Sequence, residues 1–341
     1  MTKIIYAVGI HSDGGLNILE KFLNSCDNDV IFYLDNRIKI KKKENYIFVN
    51  GSSFNRLIHL FKLKSRTSIN DHIFFLNGLP PVLKFNSEIS VAFQNANIFR
   101  SFYRIGFLNW IFSRDILRNF IFSFGKKNVD NWFVFSPISQ RILNKELNKY
   151  SNIKIINVLS EFNNKVEISS VNYKYDFIYP ASGLKHKNHN LLFETLIQLS
   201  KENIYPKVLI TLEQEYLNKI NFHKYKKKYN LKIENYFEKN QKIFRDIYKQ
   251  CRCLLYLSKN ETIGLPILEA NKYGLFTIAP DLDYSSQFLE PDFKFDINSK
   301  NELKNIIKNF LLKPPEKKNI KDDKIKIENS LDFENFLNYI L

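Results

Sequence analysis

The chain has 341 residues, of which 44% are hydrophobic and 25% are charged, and its formal net charge is +16. This length exceeds a usual single hydrophobic core and predicts two domains, and the composition is that of an ordinary globular chain. Three cysteines are too few for a disulfide framework and indicate a reducing compartment. The N-terminal apolar stretch is too short for a signal peptide, and no apolar window reaches the about 20 residues of a membrane span. We therefore expect a cytoplasmic protein.

The positive charge is unevenly distributed. Residues 1–165 hold 23 Lys and Arg against 12 Asp and Glu, and residues 166–341 hold 28 against 23. Basic proteins attract phosphates on nucleic acids, anionic lipids or substrates. An abundance of Lys, Asn, Ile, Phe and Tyr is also typical of an AT-rich genome, so composition supports a polyanionic partner only weakly. No motif indicates DNA or RNA binding.

Short apolar runs alternate with longer helical patterns along the chain. The runs that predict strands are 3–8, 29–34, 46–50, 72–76, 89–93, 131–135, 175–180, 207–211, 232–236, 253–257, 276–279 and 293–296. Helical patterns such as "LNILEKFL", "NHNLLFETLIQLSKE" and "QKIFRDIYKQ" lie between them. This alternation predicts an α/β protein with parallel sheets covered by helices on both faces.

A polar, aperiodic stretch at 157–174 marks the expected domain boundary. It predicts two doubly wound, Rossmann-like α/β domains, 1–165 and 166–325. A C-terminal helix at 326–341 is expected to return to the N-terminal domain. In such domains ligands bind beyond the carboxyl ends of the strands, close to helix N-termini.

Two polar motifs in the N-terminal half follow predicted strands. Gly14 and Gly15 separate the first strand from the first helix and by themselves predict an ordinary turn. This segment lacks the Gly-x-Gly-x-x-Gly dinucleotide pattern, and no acidic residue ends the second strand in a fitting context. Gln94 and Asn95 come directly after the strand at 89–93.

The segment 98–124 combines arginines with many aromatic and aliphatic residues. On a helical wheel, Arg100, Arg104, Arg114 and Arg118 fall within an arc of roughly 80°. Two interpretations remain open. One is a packed helix pair with arginines reaching solvent, and the other is a basic, aromatic face that rests on an anionic membrane.

The stretch "YPASGLKHKNHNLL" (179–192) places Lys187 on a loop between a predicted strand and a helix. A lysine there suits phosphate binding as a mobile point charge. Taken alone, "KHKN" is equally typical of a solvated basic loop.

The stretch "SKNETIGLPILEANKYG" (258–274) follows the strand "CLLYL" and opens a helix near Leu265. Pro266 suits the first helical turn, and Leu265 has no side-chain oxygen to cap the free amides, so this helix start can receive an anion. Glu269 lies one turn further, with its side chain directed back toward the N-terminus. Spacing alone leaves open a helix junction with two salt-bridged glutamates, Glu261 and Glu269.

Asp281 and Asp283 form an Asp-x-Asp pattern, which can bridge a divalent cation to a diphosphate. The pattern follows "TIAP" and precedes "YSSQF". A turn followed by helix capping explains this context better, and the histidines, including His11, His186 and His189, have no metal-ligand spacing. We therefore expect no metal site.

The motif "ETIGLPILEA" resembles the E-x7-E signature of the retaining glycosyltransferases of family 4, which have the GT-B fold. Ile263 stands where the family usually has Phe. The resemblance extends over 240–296, and "YPASGLKHKNHNLL" is similar to the family's diphosphate-binding loop. There Lys187 matches the family's lysine, Ser182 stands at its arginine position, and Lys185 is a candidate substitute.

The resemblance implies a GT-B fold of two domains facing a cleft, with a nucleotide-sugar, UDP- or GDP-linked, as donor. It implies catalytic roles for Glu261 at the transferred sugar and for Gln94 and Asn95 from the N-terminal domain. The residues implied to bind the donor are Gly14, Gly15, Ser182, Lys187, Gly264, Leu265 and Glu269. Neither a cofactor nor a metal is expected.

The function so implied is transfer of a sugar, with retention, to a hydroxyl acceptor. The expected acceptor is a lipid-linked or growing saccharide in surface polysaccharide synthesis, with the enzyme at the inner face of the cytoplasmic membrane. Two alternatives come from other classes. One is a GT-B-fold nucleotide-sugar epimerase, and the other is a non-catalytic basic protein that binds polyanions.

Overall fold

The computed structural model describes residues 2–11, 13–94, 99, 114–147, 153–164, 166, 173–237, 246–315, 327 and 330–340. The chain divides into two compact units. Unit 1 comprises residues 1–158 and 327–341, and unit 2 comprises residues 159–326.

Unit 1 is an α/β unit built on one sheet. Its strands are β1 (Lys3–Tyr6), β2 (Val30–Asp35), β3 (Tyr46–Val49), β4 (His72–Phe75), β5 (Glu88–Phe93), β6 (Asn131–Val134), β7 (Ile153–Asn157) and a C-terminal strand, Ser330–Asp332. Its helices are α1 (Asp13–Ser25), α2 (Ser53–Arg66), α3 (Arg114–Gly125), α4 (Pro137–Glu146) and a C-terminal helix, Phe333–Ile340. Among the described residues the sheet has eight parallel strands, in the order C-terminal strand, β7, β6, β5, β4, β1, β2, β3.

Unit 2 has a second parallel sheet. Its strands are β8 (Tyr175–Tyr179), β9 (Val208–Ile210), β10 (Ile233–Asn235), β11 (Cys251–Leu255), β12 (Phe276–Pro280) and β13 (Phe293–Phe295). Its helices are α5 (His189–Lys201), α6 (Gln214–Lys219), α7 (Phe222–Lys228), α8 (Leu265–Lys272), α9 (Asp283–Ser286) and α10 (Lys300–Leu312). The strand order within the described residues is β10, β9, β8, β11, β12, β13. In chain order, the C-terminal strand and helix of unit 1 are β14 and α11.

The short apolar runs form strands because both faces of a parallel sheet are covered. All four residues of β4 are buried, and so are all five of β12. Cys251 and Cys253 are buried in β11, so the Cys-Arg-Cys stretch is part of a core strand. Each of the twelve predicted strands is present, with ends shifted by one or two residues, whereas β7 and β14 were not predicted.

The C-terminal segment closes the sheet of unit 1. β14 pairs in parallel with β7, and α11 buries Phe336, whose ring centroid lies 5.3 Å from that of Phe74 and 4.9 Å from that of Phe133. The ring Nδ1 of His72 donates a hydrogen bond to the carbonyl of Ile340, at 2.9 Å. These contacts make 327–341 part of the core of unit 1.

Unit 2 begins at Leu159, slightly before the boundary expected at 165/166. The short 3₁₀ helix Ser160–Asn163 explains the difference, because it packs on α8. The ammonium of Lys272 lies 5.9 Å from the centroid of the Phe162 ring, and the Val166 amide donates to the Lys272 carbonyl at 3.0 Å. Residues 159–165, which were expected to belong to the first domain, therefore belong to unit 2.

Candidate functional site

Two loops leave the carboxyl edge of the unit 2 sheet side by side. β8 and β11 are parallel neighbours, with Phe177 opposite Cys253. The chain after β8 forms the 3₁₀ helix Lys185–Lys187 and then begins α5. The chain after β11 forms the loop that precedes α8. Neighbouring parallel strands end at the same edge, so these loops bring together residues that are distant in the sequence.

Lys187 and Glu261 meet at this edge. The Lys187 ammonium lies 2.6 Å from Oε1 of Glu261, and the two side chains are 17% and 15% exposed. The Nε2 atom of His186 is 3.9 Å from the same carboxylate oxygen. The Lys187 ammonium also lies 5.9 Å from the centroid of the Tyr256 ring. Of the predicted site residues, these two form a direct ion pair.

Backbone groups tie the two loops together. The carbonyl of His186 accepts hydrogen bonds from the Lys259 amide at 2.8 Å and from the Ser258 hydroxyl at 3.2 Å. Tyr179, the last residue of β8, donates its hydroxyl to the Lys187 carbonyl, and Tyr284 donates to the Ser258 carbonyl at 2.6 Å. The Lys187 and Glu261 side chains therefore project from loops whose backbones are fixed.

The N-terminus of α8 lies on the second of these loops. Gly264 is the N-cap residue, with φ of 78°, and it provides no side-chain cap. This left-handed conformation is strained for residues with a side chain. The side-chain amide of Gln287 donates to the Thr262 carbonyl at 2.9 Å and to the Ile263 carbonyl at 3.2 Å. Leu265 begins the helix. The start of α8 therefore lies on a loop fixed by Gln287, and its backbone amides are suited to an anion.

Glu269 lies one turn into α8 and is held by Tyr248. The Tyr248 hydroxyl donates to Oε2 of Glu269 at 2.5 Å. Burial, together with the charge and hydrogen bond of Glu269, raises the pKa of Tyr248 well above its ordinary value, so the phenol remains a donor. The Tyr248 ring stacks on Tyr273, with ring centroids 5.6 Å apart. Sequence reasoning missed Tyr248, since its position in "IFRDIYKQ" is typical of an ordinary core aromatic.

Ser182 occupies the position of the family's arginine, and its carbonyl accepts a hydrogen bond from Nε2 of His189 at 2.9 Å. Burial lowers the pKa of His189 to about 4, so this ring is neutral near pH 7. The neighbouring Gly183 has no room for a side chain because the ring of Tyr216 packs against it. Lys185, the candidate substitute for the arginine, is exposed. The loop is thus shaped by a buried neutral histidine, and Lys187 is its half-buried cation.

In unit 1 the structure corrects the expected position of two glycines. Gly14 and Gly15 lie in the first turn of α1, which begins at Asp13, and not in the loop before the helix. A side chain on Gly15 would contact Ile10 at 3.4 Å and the Gln94 side-chain oxygen at 3.5 Å. The positive-φ glycine of this loop is Gly9, with φ of 104°. The sequence predicted the start of this helix too late, because its first residues, Asp13 to Gly15, include no apolar side chain.

Gln94 directly follows β5 at the carboxyl edge of the unit 1 sheet. Its amide nitrogen donates to the Leu76 carbonyl at 2.7 Å, and its oxygen faces Gly15. Gln94 and Gly15, each predicted separately as a site residue, therefore lie close together. Asn95 lies outside the described residues.

The second strand of unit 1 does end in an acidic residue, contrary to the sequence interpretation. Asp35 closes β2 and is fully buried. Its carboxylate accepts the Gly9 amide at 3.0 Å and two hydrogen bonds from the Arg37 guanidinium, at 2.7 and 2.8 Å. Arg37 lies only two residues after Asp35, so the partner of this buried carboxylate comes from the same turn.

The Asp-x-Asp pattern lies at the start of α9. Asp281 is 3.5 Å from the Lys294 ammonium, and Asp283 begins the helix. In the described part of the chain, no group of three or more His, Cys, Asp or Glu side chains is arranged to hold a metal ion.

The segment 98–124 is described only at 99 and from 114 onward, so Arg100 and Arg104 lie outside the described residues. Its helix α3 exposes Arg118 and three large apolar side chains, namely Leu117, Phe120 and Phe124. Within the described ranges, none of the helices is both long enough and apolar enough to cross a membrane.

Comparison with known proteins identifies the fold. Residues 161–326 match the family model described as Glycosyl transferases group 1, while no curated protein sequence matches the chain significantly. Sucrose-phosphate synthase from Thermosynechococcus elongatus superposes with a TM-score of 0.72 at 14% identity, over 99% of this chain and 97% of that chain.

Two further structures agree. WaaG, described as a glycosyltransferase involved in lipopolysaccharide biosynthesis, has a TM-score of 0.62 at 12% identity, over 91% of each chain. Anabaena HepE in complex with UDP and glucose has a TM-score of 0.58 at 13% identity, over 95% of this chain and 92% of that chain. The fold is the GT-B fold of glycosyltransferases, and the predicted fold class is confirmed.

Proposed function

We propose that this protein is a retaining glycosyltransferase of the family 4 type, which transfers a sugar from a nucleotide-sugar to a hydroxyl acceptor. The observation that carries the proposal is the meeting of Lys187 and Glu261 beside the uncapped start of α8. A cation, a carboxylate and free helix amides at one sheet edge match the parts of a sugar diphosphate. The group 1 model, which matches 161–326, supports the same class of enzyme.

Each group is assigned a part of the donor. The amides at Gly264 and Leu265, with Lys187, bind the diphosphate, and Ser182 lines the same loop. Glu269, oriented by the hydroxyl of Tyr248, accepts hydrogen bonds from the ribose hydroxyls. Glu261 accepts hydrogen bonds from hydroxyls of the transferred sugar.

The ion pair has a role in the reaction. Glu261 pairs with Lys187 at 2.6 Å and so offsets its charge. When the donor binds, the Lys187 ammonium is shared with the diphosphate, whose negative charge grows as the sugar bond breaks. Positive groups that face this developing charge stabilise the transition state more than the ground state. Lys187 and the α8 amides supply this stabilisation, so the proposal requires no metal.

Unit 1 supplies the acceptor side. Gln94 and Gly15 lie together at the carboxyl edge of its sheet, and Asn95 and Gly14 are their sequence neighbours. The resemblance implies same-face transfer, in which the leaving phosphate accepts the acceptor proton, and no carboxylate is assigned as a nucleophile.

A uridine donor is favoured among the nucleotides. The Anabaena structure contains UDP and glucose, and by fold similarity we extend this donor class to the present chain. The lipopolysaccharide role printed for WaaG similarly supports a surface saccharide as the acceptor.

Attachment to the inner face of the cytoplasmic membrane is a further part of the proposal. α3 exposes Leu117, Phe120 and Phe124 at intervals of three and four residues, which places them on one helix face. Exposed apolar residues next to basic ones suit the interface of an anionic bilayer. A lipid-linked acceptor would then be reached from the membrane surface.

A panel of nucleotide-sugars tests the proposal. The correct donor should stabilise the protein by about 2.7 kcal/mol at a hundredfold excess over its Kd, and transfer to an acceptor should give a product with the donor's anomeric configuration by NMR. Glu261→Ala should slow transfer while the folded state is kept, and Glu290→Ala, an exposed glutamate of the same unit, serves as the control.

Other results would favour the alternatives. Inversion at the anomeric carbon would contradict the retaining mechanism. Conversion of the donor sugar into its epimer without an acceptor would favour the epimerase. Salt-dependent binding of polyanions without donor binding would favour a non-catalytic protein.

A further inference from the structure

Three arginines of unit 1 are assigned no role in the proposed donor site. They are Arg37 after β2, Arg56 in α2 and Arg118 in α3, and we name them the Gly9 arginine cluster because Arg56 packs on Gly9 and the charges of the other two act on Arg56. α2 and α3 begin near the carboxyl edge of the unit 1 sheet, because each runs back toward the start of the following strand. Arg56 in the first turn of α2 and Arg118 at the start of the second turn of α3 therefore lie toward the end of the sheet where ligands bind in this kind of fold.

Arg37 is rigidly held. Its guanidinium donates from Nε to one oxygen of Asp35 at 2.7 Å and from Nη2 to the other at 2.8 Å. Burial alone would raise the pKa of Asp35, but the hydrogen bonds and charge of Arg37 and the Gly9 amide outweigh this and lower it. The Arg37 side chain is 49% exposed although Asp35 is fully buried. The Arg37 guanidinium is thus fixed by Asp35 on one side and open to solvent on the other.

Arg56 packs directly against the backbone of Gly9. A side chain on Gly9 would lie 2.6 Å from Nη2 of Arg56 and 2.9 Å from its central carbon. The Nε atom of Arg56 is buried and has no hydrogen-bond partner among the described residues. A buried donor without a partner is costly and rare in native proteins.

The surroundings of Arg56 are positive. Burial lowers the pKa of Arg56, and the charges of Arg37 and Arg118 lower it further, while Tyr6 and Asp35 act in the opposite direction. Asp35 is already neutralised by Arg37. Arg56 therefore lies in the field of two further guanidinium groups, and the carboxylate that acts on it is already paired with Arg37.

Tyr6 is a second buried group without a partner. It ends β1, is 1% exposed, and its hydroxyl has no hydrogen-bond partner within the described residues. Its ring is fixed against Tyr33 and Phe75, with centroids 5.9 and 5.1 Å away. Burial raises the pKa of Tyr6, which the Arg56 charge opposes, so the phenol remains a donor near pH 7. Tyr6 and Arg56 thus each keep a buried donor without a partner among the described residues.

We propose that the Gly9 arginine cluster, with the hydroxyl of Tyr6, binds a phosphoryl or carboxylate group carried by the saccharide acceptor. That the anion is carried by the acceptor rests on the proposed function. That a compact anion binds rests on the residues of unit 1 alone. Guanidinium forks match the planar or tetrahedral oxygens of such anions. A compact anion fits better than a nucleic acid, because the unused donors are buried and do not form an exposed basic track.

The test is titration of the full chain with small probes, measured by calorimetry at low salt. Glucose 6-phosphate and glucuronate should bind, and glucose should not. Arg56→Gln should weaken their binding roughly tenfold to a hundredfold, the usual effect of losing a hydrogen bond to a charged group. Arg118→Gln should weaken it as well, and Tyr6→Phe should weaken it several-fold.

Lys64→Gln, at the far end of α2, is the matched control and should bind the probes like the wild type. Arg118 and Lys64 are both exposed, so at least one informative variant folds even if Arg56→Gln does not. Inorganic phosphate that binds as tightly as glucose 6-phosphate would overturn the assignment to a saccharide. The site itself would be overturned by absence of binding to the wild type, or by equal losses in Lys64→Gln and Arg118→Gln.

Binding of a nucleotide such as UDP is followed in the same samples. Arg56→Gln should leave nucleotide binding unchanged. Nucleotide binding without anion binding would remove this inference and leave the proposed function intact. Anion binding without nucleotide binding would remove the proposed function and leave the anion site intact.

Discussion

The ammonium of Lys187 and the carboxylate of Glu261 are 2.6 Å apart, although 74 residues separate them in the chain. The contact exists because β8 and β11 are neighbours and both loops leave at the same sheet edge. The pair fixes the position of each charge in the folded protein. Such preorganisation lowers the cost of ordering the site during the reaction.

Lys187→Ala should weaken binding of the donor diphosphate by about 1.5–3 kcal/mol, the range for a hydrogen bond between charged groups. Free nucleoside, which lacks phosphate, should bind the variant and the wild type equally, as measured by calorimetry. Lys185→Ala, two residues away and exposed, is the matched control and should change little. An equal loss of nucleoside binding would mean that Lys187 acts elsewhere.

Glu269→Ala should weaken nucleotide binding, because the carboxylate assigned to the ribose is lost. Tyr248→Phe should produce a smaller loss of the same kind, since it removes only the hydroxyl that orients Glu269 at 2.5 Å and keeps the ring stacked on Tyr273. Binding of nucleoside and of 2′-deoxynucleoside should be compared in each variant. If Glu269 does not bind the ribose, both variants will discriminate between these ligands as the wild type does.

Turnover should continue in the presence of EDTA. Lys187 and the α8 amides supply the positive charge that a divalent cation supplies in metal-dependent transferases. The measurement is the transfer rate with chelator, with and without added Mn²⁺. Loss of activity that Mn²⁺ restores would instead indicate that Asp281 and Asp283 bind a metal ion.

The protein should sediment with anionic liposomes and be released at high salt, because salt screens the attraction of basic residues to the surface. Changing Leu117, Phe120 and Phe124 to Ser should leave the protein in the supernatant while nucleotide binding is kept. Leu312→Ser is the control, since Leu312 is an exposed leucine of unit 2. Equal sedimentation of the triple variant and the wild type would indicate that α3 is a packed helix whose exposed face does not bind membranes.

The sequence predicted those features that depend on local pattern. Twelve strands were readable because each is a short buried apolar run between turn residues. β14 was not, since Ser330–Asp332 is short and none of its residues is buried. Its pairing with β7 depends on the return of the chain to unit 1, which no local pattern encodes.

The same distinction holds for the site. Glu261, Lys187 and Glu269 could be proposed from motifs with fixed spacing. Tyr248 could not, because its role depends on a contact with Glu269, 21 residues further along the chain. The Gly9 arginine cluster was also missed, since Arg37, Arg56 and Arg118 are far apart in sequence and meet only through the strand order.

The return of the last segment to unit 1 makes unit 2 an insertion within a single sheet. During synthesis on the ribosome, unit 2 is complete as a continuous stretch before residues 327–341 emerge. Until they do, the faces of Phe74 and Phe133 that pack on Phe336 are uncovered. We therefore expect unit 2 to fold while the chain is still being made, and unit 1 to reach its final packing only after residues 327–341 have emerged. Nascent chains truncated before 327 should accordingly protect unit 2, but not the core of unit 1, from protease.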